Sequence, residues 1–180
     1  MRKIASLIVV ALSVLIGSLL ISEEPDPNRR MVHLATDETG VLHDGFGAET
    51  RVRIDDVVLT KELSYDTTEL VFAVATVTAE FPEDSPGLTM EVESGEKKIS
   101  VSCYLAANTG FRATTDCAIR IDPAYLADAE LIVYYNEYIE TYHDALAFDL
   151  YPDGATAEEI VAEAERSEPV ETVARVEEPL

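Results

Sequence analysis

Hydrophobic and polar positions divide the chain into three stretches. Residues 4–21 (IASLIVVALSVLIGSLLI) carry no charged side chain. As a helix they rise roughly 27 Å, near the hydrocarbon thickness of a bilayer, and only a helix satisfies its own backbone polar groups there. From about Gly40 the pattern changes to short segments rich in Val, Ile, Thr and Tyr, broken by Gly, Pro, Asn and Asp at intervals of roughly ten residues. No amphipathic helix interrupts them, as expected of an antiparallel sandwich. Beyond Tyr151-Pro152 large apolar side chains become sparse.

Within the middle stretch, Arg51–Leu63 puts Val52 and Ile54 on one face, then changes parity at Asp55-Asp56 so that Val57, Leu59 and Leu63 continue the series. A one-residue slip of this kind is the signature of a β-bulge. Glu69–Phe81 is apolar on both faces, with Leu70, Phe72 and Val74 opposite Val71, Ala73, Ala75, Val77 and Ala79, which predicts a central strand. Pro82–Gly87 is a loop, and Leu88–Val92 with Lys98–Tyr104 reads as a hairpin around Ser94-Gly95. Residues 105–115 read as a turn-rich connection. Asp116–Ile121, Leu131–Tyr135 and Ala145–Leu150 bring the total to about seven strands, the number in a small immunoglobulin-like sandwich. The expected organisation is an anchor or signal segment at 1–21, a linker at 22–39, the sandwich at 40–151 and an acidic tail at 152–180. In the tail Thr156-Ala-Glu-Glu159 has capping-box spacing, predicting a short helix over 157–166. From residue 152 onward the tail holds two Arg against nine acidic residues, and outside the helix it is expected to be mobile or to order on a partner.

Charge narrows the function classes. The chain has 13 basic and 35 acidic residues in 180, a formal charge of −22, and 11 of the basic residues with all the acidic ones follow the apolar run. Such a surface repels phosphate backbones, so nucleic acid is set aside. Arg2 and Lys3 precede the run, which ends in Ser18-Leu-Leu-Ile-Ser22 without an A-x-A-like cleavage site. An uncleaved single-pass anchor is the favoured reading, with a removed signal peptide as the alternative. Arg2 and Lys3 on the cytoplasmic side put the domain on the extracytoplasmic side, although Arg29 and Arg30 at the other end weaken the charge asymmetry.

The order of these segments resembles the telokin-like, immunoglobulin-type extracellular domains of Gram-positive bacteria. The likeness is carried by RVRIDDVVLTKEL, TELVFAVATVTAEF, CAIRIDP, AELIVYY and ALAFDL, and covers about residues 45–151. It implies a non-catalytic sandwich behind a signal or anchor and a short linker. The acidic tail and the Tyr-rich segment depart from the family pattern.

Cys103 and Cys117 are the only cysteines, and each lies on the apolar parity of its strand, which points to a disulfide in an exported domain. It would close a loop of about 15 residues, worth roughly 3 kcal/mol in the chain-entropy model. Two reduced, buried thiols are the other reading. Tyr134, Tyr138 and Tyr142 share a parity in extended chain and form a candidate partner surface, against an ordinary packing role for each. His33, His43 and His143 lack ligand spacing, and the acidic pairs Asp37-Glu38, Asp55-Asp56 and Glu83-Asp84 lack the order of an EF-hand, so neither a metal nor another cofactor is expected. No nucleophile elbow, P-loop or dinucleotide turn is present, and no catalytic residue is assigned. The function expected is that of a non-catalytic interaction or accessory module for a membrane or envelope protein. The alternatives are a secreted ligand- or calcium-binding protein and a small envelope hydrolase.

Overall fold

A computed structural model describes residues 30–180, apart from 45–46, 65, 137–143 and 153. The apolar run, residues 22–29 of the linker, Tyr138, Tyr142 and His143 lie outside the described residues. Among the described residues no helix is long and apolar enough to cross a membrane.

The elements are β1 (Arg30–Leu34), β2 (Thr39–His43), β3 (Glu49–Leu63), β4 (Asp66–Phe81), β5 (Leu88–Ser94), β6 (Lys97–Leu105), β7 (Phe111–Ile121), α1 (Pro123–Leu126), β8 (Ala129–Tyr135), β9 (Asp144–Asp149), α2 (Ala157–Arg166) and β10 (Val176–Pro179). They build two five-stranded sheets, ordered β1-β9-β8-β5-β6 and β10-β7-β4-β3-β2. All pairs are antiparallel except β1 with β9. The inner faces meet in one core that includes Leu42, Ile54, Phe81 and Ile119 of one sheet and Leu88, Leu131 and Phe148 of the other. The result is a β-sandwich.

Several expectations hold at the level of single residues. The register of β3 against β4 shifts between Ile54 and Asp56, where the parity change predicted a bulge. The extra residue keeps Val52, Ile54 and Leu59 in the core. β4 is the central strand of its sheet and is buried on both faces from Val71 to Ala75. The β5–β6 hairpin turns through Gly95, whose φ of +58° is easily adopted only without a Cβ. Thr156 caps α2 in a full capping box with Glu159, and Ile160 and Ala164 bury the inner face of the helix.

Four expectations are corrected. The sandwich includes Arg30–Leu34, ahead of the start expected near Gly40, because β1 pairs in parallel with β9, from Arg30↔Asp144 to Leu34↔Phe148, inside the segment read as a linker. Strands number ten among the described residues rather than about seven, since β1, β2 and β10 are edge strands of only five, five and four residues, and β1 and β10 have no buried position to show alternation. β7 begins at Phe111, within the stretch read as a connection. The tail is not free: Ser64 N–H donates to the Val170 carbonyl at 2.9 Å, Val170 N–H to the Glu62 carbonyl at 3.1 Å, and Val173 N–H to Asp116 Oδ2 at 2.7 Å. β10 then pairs with β7 from Val176↔Thr114 to Pro179↔Phe111. A β-edge is completed by backbone groups, so an acidic, poorly apolar sequence can dock there without alternation. The tail ties β3 to β7 across the outer face of β4, where Phe72 and Val74 are buried.

Candidate interaction surface

The solvent face of the β1-containing sheet is built by residues that alternate with core positions. On β5, Leu88, Met90 and Val92 point inward, leaving Thr89, Glu91 and Glu93 outside. Register then aligns Thr89 with Tyr134 on β8 and with Tyr104 on β6, a cross-strand row Tyr134–Thr89–Tyr104. Tyr134 is half-buried and its hydroxyl donates to Glu91. Tyr104 is 55% exposed, the most exposed large hydrophobic side chain among the described residues. Its hydroxyl accepts from Asn136 Nδ2 at 3.0 Å. Gly87 lies beneath it: a Cβ there would come within 2.5 Å of the Tyr104 hydroxyl oxygen and 2.9 Å of the Leu105 carbonyl oxygen, so glycine sets the approach of the ring. Beside the row, Ile132, Ala145 and Ala147 form a small apolar cluster with Met31 and Tyr134 packed against it. A fixed aromatic ring with a wet hydroxyl is the kind of group that loses little entropy on contact with a partner.

Of the three tyrosines named from sequence, Tyr134 takes part in this surface, and Tyr138 and Tyr142 lie outside the described residues. Tyr104 and Asn136 were missed. The signal was there in Tyr104, the outward residue at the end of a strand whose inward neighbours are Cys103 and Leu105. Tyr135, next to Tyr134, serves the core instead, donating to the Leu42 carbonyl at 2.9 Å and so linking the two sheets.

Cys103 and Cys117 form a disulfide, with Cα atoms 5.6 Å apart, between β6 and β7. It fastens an edge strand of one sheet to the other sheet. Met90 Sδ lies 3.3 Å from Cys117 Sγ within the core.

The solvent face of the other sheet carries a charge ladder. Register sets Arg51, Glu80, Arg112 and Glu178 side by side on β3, β4, β7 and β10. Arg112 donates through Nε to Glu80 at 3.0 Å, and its basicity is raised chiefly by its hydrogen bonding to Glu80. Arg51, Arg53, Thr78 and Arg112 border a hollow of about 320 Å³, but its guanidinium groups are already matched to Glu80 and Asp55.

A wider hollow of about 910 Å³ opens between α2 and the chain at Tyr151–Ala155. Tyr151 donates to Glu163 at its wall, and this hydrogen bond, with burial, pushes the phenol up to about 12. His33 pairs with Glu130 at 2.6 Å on one sheet and His43 with Glu49 at 3.7 Å on the other. Among the described residues no three His, Cys, Asp or Glu side chains converge as metal ligands would. No family model matches the chain, and no curated protein or solved structure matches it.

Proposed function

We propose that the chain is a membrane-anchored, extracytoplasmic sandwich that works without catalysis, as an interaction or accessory module for a membrane or envelope protein. The observation that carries this reading is the Tyr134–Thr89–Tyr104 row, with Tyr104 held outward over Gly87 and only its edge engaged by Asn136. The apolar run at 4–21 supports the anchor, and the disulfide agrees with an oxidising compartment.

The strand order supports an immunoglobulin-type arrangement. β3-β4-β7-β10 corresponds to A-B-E-D of one sheet, and β9-β8-β5-β6 to G-F-C-C′ of the other. The D position is then filled from the C-terminus, and the disulfide joins C′ to E rather than B to F. Membership of the telokin-like family is part of the same proposal, resting on the segments quoted above.

The test compares the full chain with Tyr104→Ala and with Tyr104→Ala/Tyr134→Phe in detergent-solubilised membranes. Each variant is expected to stay folded, with a melting temperature within a few degrees of wild type, and to lose co-purifying membrane proteins. Unchanged co-purification by both variants would refute this surface.

A further inference from the structure

Chain length and strand direction single out one end of the sandwich. Arg30, the start of β1, lies at the end where β2, β4, β6, β8 and β10 finish and β3, β5, β7 and β9 begin. Leu180 also returns there, its N–H donating to the Gly110 carbonyl at 2.9 Å. Tyr104, Thr89 and Tyr134 each sit one residue from a strand terminus at that same end. α1, α2 and the wide hollow beside Tyr151 occupy the opposite end.

Only residues 22–29 separate the apolar run from Arg30. Eight residues reach at most about 28 Å when fully extended. The body is longer than this tether, because the 11 residues of β7 alone rise roughly 36 Å. Standing the sandwich on its opposite end would lift Arg30 beyond the tether. The tether joins this end through Arg29 and Arg30, but the described connections there expose Glu83 and Asp84 and hold no Lys or Arg, and the whole chain has a charge of −22. That balance disfavours anionic headgroups as the occupant of the aromatic row.

We infer that the Arg30 end is membrane-proximal and that the Tyr134–Thr89–Tyr104 row docks on a short, basic extramembrane segment of an integral membrane protein. The inference rests on the anchored reading above. It deepens that reading by giving the partner's location and charge, and it turns the α2 end away from the bilayer.

The full chain is reconstituted in phosphatidylcholine vesicles carrying acceptor-labelled headgroups, with a donor fluorophore on a non-natural residue at position 84 or, separately, at position 165. Transfer from position 84 is expected to exceed that from 165 severalfold. Equal or reversed transfer overturns the orientation while leaving the anchor intact; failure of the chain to float with vesicles overturns the anchored reading, and the orientation with it. Adding phosphatidylglycerol is expected to leave transfer from position 84 unchanged or lower. A marked rise in transfer would assign the surface to lipid and overturn the protein partner. In intact cells, a photo-crosslinker at Tyr104 is expected to give adducts that resist alkaline extraction, with none from position 165. Adducts from 165 alone would overturn the docking surface.

Discussion

Removing the Cys103–Cys117 bridge should cost more than any surface substitution, and the loss should begin at β6. This strand pairs with β5 alone, its register shifts between Met90 and Val92, and the bridge is its covalent tie to β7. The cysteines are 14 positions apart, and opening a loop of that size frees roughly 3 kcal/mol of chain entropy in the unfolded state. For a body of this length 1 kcal/mol moves Tm by about 2–4 °C, so the expected drop is about 6–12 °C. With a urea slope of about 2 kcal/mol/M the midpoint should fall by about 1.5 M. The assay is urea and thermal unfolding of the wild-type sandwich, of the same protein under dithiothreitol, and of Cys103→Ala/Cys117→Ala. Hydrogen exchange should show β6 losing protection before β4 and β7. If reduction and the double substitution both changed stability by less than about 0.5 kcal/mol, the bridge would not be what holds the edge strand to the second sheet.

Other outcomes follow from the same geometry. Tyr151→Phe should lower stability by about 0.5–1.5 kcal/mol, the net worth of the hydrogen bond to Glu163. Because the folded Tyr151 pKa is raised, that stabilisation should be full below pH 10 and fade as pH rises through about 12, which urea midpoints against pH would follow. Glu159 and Glu177 have lowered pKa values, the first through hydrogen bonds from Thr156 and the second chiefly through one from Asn108. Their contribution should be present at neutral pH and be lost as pH falls below the ordinary carboxylate range, seen as earlier exchange of α2 and β10 amides in acid. Gly87→Ala should displace the Tyr104 ring, changing its NMR shifts and weakening partner capture, while core resonances such as those of Phe148 stay in place. Deleting residues 168–180 should expose Phe72 and Val74 and promote self-association through the bared edge of β7, read by light scattering.

What the sequence revealed followed the strength of burial. β3 and β4 were legible to within two or three residues at their starts, with the shift after Ile54, because core and solvent positions alternate from Thr50 to Ile54 and a one-residue slip inverts that pattern; the second shift, between Thr60 and Glu62, left no such mark. The helix at 157–166 was legible from its cap, a local device that needs no tertiary context. β1 and β10 were hidden because their pairing is made by backbone groups, which any side chain permits; Arg30–Leu34 reads like the stalk before it, and Val176–Pro179 is exposed throughout. The candidate surface was half legible. Parity marked Tyr134 as outward, but only register brings Thr89 and Tyr104 beside it, and register between strands 15 to 45 residues apart is not written in local alternation.

The central claim concerns location, and protease accessibility in whole, wall-stripped cells tests it most directly. Sealed cells expressing the full chain, tagged after Leu180, should lose the tag and the sandwich to added protease, while a membrane-associated fragment containing the start of the chain survives. A sandwich protected until the membrane is permeabilised, or recovered with the soluble cytoplasmic fraction, would contradict the account.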